Sequence, residues 1–131
     1  MQIAIVAFYA GLNALIGLLL AINVVRLRVK TRTNLGSGGN AALEQAIRAH
    51  GNFSEYAPFI LLLMLITAMS GESPYWLHAM GIALTAARLL HPWGLLASPG
   101  TSVGRFGGII LTWLVMLVAL IRCLILGAAA L

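Results

Sequence analysis

EQAIRAHGNFSEYAPF, residues 44–59, is the stretch on which the reading of this chain turns. Long apolar runs surround it, yet Glu44, Arg48, His50, Asn52, Glu55 and Tyr56 crowd into little more than three helical turns. At ~100° per residue, Glu44, Arg48, Asn52, Glu55 and Phe59 share one helical stripe, with Tyr56 at its edge. His50 and Ser54 point the other way. The apolar run that follows ends near Gly71 and is too short to cross ~30 Å of hydrocarbon, which takes about 20 residues. The hydrophobic slab must therefore reach back to about residue 51. That places Asn52 and Glu55 inside it and Arg48 at its edge. Polar and charged groups there are costly unless they are paired or face a wet cavity, so the stripe is the candidate functional site.

Composition supports a membrane setting. Of 131 residues, 61% are hydrophobic and only 8% charged, with mean hydropathy +0.99, whereas soluble domains carry about a quarter charged residues. So small a chain cannot hide that much apolar surface in its own core, and lipid has to cover the rest. The net charge of +5 does not mark a nucleic-acid partner. Arg26, Arg28, Lys30 and Arg32 cluster at the end of one apolar run, where positive charge sets topology. The single Cys123 excludes an intrachain disulfide and a multi-cysteine metal site, and no metal ligand set is visible. No basic segment precedes the first apolar run, which reads as a retained helix rather than a signal peptide.

Four helices are expected in one domain over residues 1–131, at about 3–29, 41–70, 75–91 and 103–126. The glycine-rich GSGG at 36–39 breaks the chain and Asn40 is placed to cap the second helix. Pro58 predicts a kink one turn beyond Glu55. Tyr75 and Trp76 enter the third helix as an interfacial belt, with His78 beside them, and His91-Pro92-Trp93 is expected to end it. Gly104 and Gly108 form a GxxxG-like pair that is either a packing surface or a flexible helix start. Arg122 is expected to snorkel to the interface. The basic first loop and Arg105 in the third, against Glu72 in the second, put loops one and three in the cytoplasm and both termini outside.

The segment EQAIRAHGNFSEYAP resembles the second-helix signature of the membrane-associated proteins in eicosanoid and glutathione metabolism, the MAPEG family. That family includes microsomal glutathione transferases, leukotriene C synthase, prostaglandin E synthase and the lipoxygenase-activating protein. VVRLRV at 24–29 and GIALTAARLLHPWG at 81–94 are similar to bacterial members. The resemblance covers roughly residues 5–120 and is densest from 44 to 95. It implies an all-α membrane protein, a homotrimer of four-transmembrane-helix bundles in the bacterial inner membrane. It also implies glutathione as cosubstrate, bound between subunits at the cytoplasmic side, and a hydrophobic small molecule delivered from membrane lipid.

By motif position, the resemblance assigns Arg48, Asn52, Glu55 and Tyr56 to glutathione, with Arg26 or Arg28 adding a contact from the end of the first helix. Arg88, level with the stripe, and His91, where eukaryotic members carry a tyrosine, complete the expected set. Arginines plus one carboxylate complement a ligand with two carboxylates and an amine. The family's thiol-activating arginine falls at Thr101 when SPGTSV is aligned with the start of the fourth helix. Arg105, one turn later, is the candidate catalytic cation. The activity implied is transfer of glutathione to a lipophilic electrophile, or peroxidase chemistry. The alternative is a non-catalytic lipid- or thiol-binding protein on the same fold, as the lipoxygenase-activating protein shows.

Overall fold

A computed structural model describes residues 1–98 and 100–131. Among the described residues, four α-helices run in order: α1 (Gln2–Thr31), α2 (Ala41–Met69), α3 (Pro74–Ala97) and α4 (Val103–Ala130). Short connections fold them up and down, so loops one and three share one end and the termini share the other with the 70–73 turn. Helices α1, α2 and α4 are each long and apolar enough to cross a membrane. Helix α3, with 24 residues, is about 36 Å long. It carries Thr85, Arg88 and His91, the last two buried. It links the far end of α2 to the near end of α4.

Helices α2 and α3 form the middle of the bundle, whereas α1 and α4 flank them and do not touch each other. One core cluster joins Tyr9, Ile60, Met64, Leu77, Leu84 and Val115 from all four helices. A second packs Leu20, Ala49, Phe53, Ala57 and Leu95 near the end shared by loops one and three. Outward faces stay apolar, with Leu15, Leu18 and Ile22 on α1 and Leu114, Leu117 and Ile121 on α4 all exposed. In water such faces would be a liability; against hydrocarbon they are the expected surface.

Local signals explain the helix ends. Asn40 accepts from the Leu43 backbone N–H at 2.9 Å and caps α2 as expected. Ser102 does the same for α4 through the Arg105 N–H at 3.2 Å. Helix α1 stops where Arg32 enters the left-handed region at φ 52°. Arg28 then donates to the carbonyls of Thr33, Asn34 and Gly36, tying down the loop.

The expected end of α3 at His91-Pro92-Trp93 is corrected: the helix continues to Ala97. Pro92 forfeits one backbone bond, a loss of about 3 kcal/mol in an isolated helix. Contacts with α4 hold the extra turn. His91 Nδ1 donates to the Arg105 carbonyl at 3.0 Å, and Ser102 Oγ donates to the Gly94 carbonyl at 2.7 Å. Helix α2 likewise runs unbroken through Pro58. Gly104 and Gly108 are a packing surface: a Cβ on Gly108 would come within 2.7 Å of His91 Cα, and one on Gly104 within 2.9 Å of the Trp93 ring.

At the opposite end, Arg122 does not simply reach for solvent. Its Nε donates to Glu72 Oε2 in the α2–α3 turn, while Glu72 Oε1 accepts from the Ser73 N–H at 3.0 Å. The Arg122 hydrogen bond is the main cause holding the Glu72 carboxyl below its ordinary value of 4.5. A carboxyl depressed by folding adds stability that is fully present above its unfolded value and is lost as pH falls through the folded one. Glu72→Gln should therefore lower the melting temperature at pH 7, and the gap to the parent should close as the pH is taken well below 4.5. A gap that does not change with pH would mean that this ion pair is not the source. His78, expected only as an interfacial residue, also bonds through Nδ1 to the Tyr9 hydroxyl at 3.0 Å.

Candidate functional site

Between α2, the end of α3 and the start of α4 lies an open cavity of about 380 Å³. Helix α2 contributes Arg48, Asn52, Glu55 and Tyr56, spaced so that one face presents all four. The end of α3 brings His91 and Leu95, the segment before α4 brings Thr101, and α4 brings Arg105, Phe106, Ile109 and Trp113. One side is thus cationic and polar, and the other is an apolar wall. The cavity lies towards the end shared by loops one and three, where the stripe placed it.

Arg48 and Glu55 approach to 4.0 Å, with side chains 59% and 52% exposed. They face each other loosely enough for a ligand to reach both. His91 is buried. Because its Nδ1 faces a carbonyl, that nitrogen carries the proton and Nε2 is left as an acceptor. The Arg105 backbone is fixed through its N–H and carbonyl, while its side chain makes no hydrogen bond or ion pair among the described residues. Phe106, Ile109 and Trp113 recur at i, i+3 and i+7 on α4, the signature of one helical face. That spacing is legible in the sequence.

Arg88 is not among the residues lining this cavity. It is fully buried behind it. One Nη donates to Asn52 Oδ1 at 3.0 Å and the other to Thr112 Oγ1, which passes a hydrogen bond to the Gly108 carbonyl at 2.7 Å. The guanidinium also lies 6.0 Å from the centre of the Tyr56 ring. Arginine can only donate, so it fixes the Asn52 amide with its oxygen inward and its NH2 free to donate into the cavity. A cation with no carboxylate partner behind the cavity, plus Arg48 and Arg105 within it, outweighs the single carboxylate of Glu55. Thr112 was not anticipated, since a threonine in an apolar run carries no signal by itself.

Arg26 and Arg28 do not line the cavity of their own chain. Arg26 bonds the Asn23 side chain at 2.9 Å, and Arg28 is engaged with loop carbonyls. Glu44, on the same stripe as Arg48, stays exposed in the first turn of α2. No group of three or more His, Cys, Asp or Glu able to hold a metal occurs among the described residues. Pro99, within the SPGTSV segment, lies outside the described residues.

Fold and site together define an integral membrane protein of up-and-down helices with a cationic cavity opening onto an apolar wall. The sequence pattern of the MAPEG family matches residues 6–125, and the chain belongs to that family. The inner membrane protein YecN of Escherichia coli strain K12 is 44% identical over 88 residues, 67% of this chain and 67% of that protein. YecN of Escherichia coli O6:H1 is similar to the same extent. No solved structure matches the chain.

Proposed function

We propose that this protein is an inner-membrane, glutathione-dependent transferase or peroxidase acting on hydrophobic electrophiles, working as a homotrimer with both termini in the periplasm. The observation that carries the reading is the two-sided cavity. Arg48, the Asn52 amide and Glu55 present donors and one acceptor suited to a tripeptide with two carboxylates and an amine. Phe106, Ile109 and Trp113 present an apolar face to a substrate arriving from lipid. Arg105 stands beside both and would stabilise a thiolate, lowering the thiol pKa. His91 Nε2 is an acceptor for the departing proton. The thiolate sulfur then bonds to the electrophilic carbon as the leaving group departs with its electron pair. With a hydroperoxide, two glutathiones become the disulfide, and an alcohol and water are released.

A second copy of the chain would close the open side and supply an arginine from the end of its α1. The name of the YecN relatives supports the inner membrane, and the basic first loop supports the orientation. Thr101 at the place of the family's activating arginine favours a second reading, a non-catalytic thiol- or lipid-binding protein.

Calorimetry of glutathione with detergent-purified protein tests the shared core of both readings. Arg48→Ala should remove a charge-assisted contact of about 1.5–3 kcal/mol, weakening binding by about 10- to 150-fold. Conjugation of a generic aromatic electrophile then separates enzyme from binder. If the parent protein shows no heat with glutathione, the reading fails.

A further inference from the structure

A second cavity lies on the other side of the bundle, between α1 and α3, with a volume of about 320 Å³. Ile16 and Leu20 from α1 and Leu89 and Leu96 from α3 form its walls, and Asn23 lines it nearest the basic end of α1. From Ile16 to Asn23 the groove follows α1 for about 10 Å, a good part of the ~15 Å depth of one leaflet's hydrocarbon. Arg48 and Arg105, the cations lining the first cavity, do not open into it. The Arg88 guanidinium, which borders its floor, is turned to α2 and α4.

The mouth of the groove is polar and positive. Arg26 is exposed, and its Nη2 donates to Asn23 Oδ1 at 2.9 Å. That bond takes the amide oxygen, so the Asn23 NH2 remains a donor beside the other guanidinium N–H groups. Arg26 has no ion pair among the described residues. Arg28, Lys30 and Arg32 follow within two turns, and Glu44 is the first acidic residue in the chain. Helix α1, at 30 residues, is about 45 Å long and overruns the ~30 Å hydrocarbon, which brings Arg26 to headgroup depth. An apolar slot one acyl chain deep, ending in an amide and a guanidinium with no counter-charge, complements one kind of bilayer component.

We propose that the α1–α3 groove is a binding site for an anionic phospholipid, one acyl chain lying along Ile16, Leu20, Leu89 and Leu96 and the phosphate held by Asn23 and Arg26.

Native mass spectrometry of the detergent-purified protein, titrated with phosphatidylglycerol or with phosphatidylcholine of the same chains, tests this. Phosphatidylglycerol should fill a site that phosphatidylcholine fills more weakly. Arg26→Gln should lower that preference about fivefold, the effect expected of one cation beside an anionic headgroup. Leu96→Trp, at an exposed wall position that tolerates bulk, should reduce occupancy by both lipids. Lys30→Gln is the control for diffuse attraction and should change little. Equal binding of the two lipids, equal effects of Arg26→Gln and Lys30→Gln, or no effect of Leu96→Trp would each overturn the proposal. Glutathione binding followed on the same variants keeps the two sites apart: loss of glutathione rather than lipid in Arg26→Gln would return Arg26 to the thiol cavity.

Discussion

Arg88→Ala should be the most destabilising single substitution in the bundle, lowering stability by about 3–5 kcal/mol. Arg88 is fully buried and joins three helices, donating from α3 to Asn52 on α2 and Thr112 on α4. Truncation removes a large packed side chain, takes a donor from the buried Thr112 hydroxyl and releases the half-buried Asn52 amide. One effect opposes this: a buried cation without a carboxylate partner is costly, and deleting it relieves that cost. Arg88→Met separates the terms, because it keeps most of the volume while losing charge and donors. It should fall by only about 1–3 kcal/mol, the penalty for acceptors left unmade. Both variants free the Asn52 amide to turn, so both should weaken glutathione binding even where the fold survives. Thermal melting in a mild detergent reads the first effect, and calorimetry reads the second. An Arg88→Ala protein that melts with the parent would show that the network does not hold the helices together.

The legible part of the fold was the part set by local chemistry. Four helices followed from apolar run lengths, GSGG and the Asn40 cap, because those signals act within a few residues. The end of α3 was not legible. His91-Pro92-Trp93 looks like a terminator by propensity, and it is overruled by α4, where Gly104 and Gly108 allow backbone contact. Tertiary packing outweighed one lost helical bond, and only the folded structure shows the partner.

The candidate site divides the same way. Arg48, Asn52, Glu55 and Tyr56 could be grouped from spacing on one helix, and the cavity does bring them together. Arg88 was placed level with the stripe, and it bonds Asn52 of that stripe from behind the cavity instead of lining it. Depth along a helix can be read from residue number, whereas the direction of a long side chain across a bundle cannot. Arg26 and Arg28, which the resemblance offered as a further contact, do not line the cavity of their own chain.

Arg105→Ala should separate chemistry from binding by the largest factor. Arg105 lines the cavity from the first turn of α4, with its backbone anchored and its guanidinium free. If it acts on the thiolate, its interaction strengthens as charge develops on sulfur, and the loss should fall on turnover. Removing one preorganised group of this kind slows reactions by about 10²–10³-fold. Glutathione affinity should fall far less, since on the proposed reading Arg48 and the Asn52 amide would hold the carboxylates. Arg48→Ala is the converse case, expected to lose binding first. Glu55→Gln should also weaken binding, by removing the acceptor for the glutathione amine or the partner of Arg48. All three need checking for an oligomeric state unchanged from the parent, because on the proposed reading a second copy closes the cavity and binding would fail trivially if the copies separated. Parallel losses of affinity and turnover in Arg105→Ala would make it an ordinary ligand contact. Turnover equal to the parent's would remove it from the mechanism and leave His91 as the remaining candidate near the sulfur.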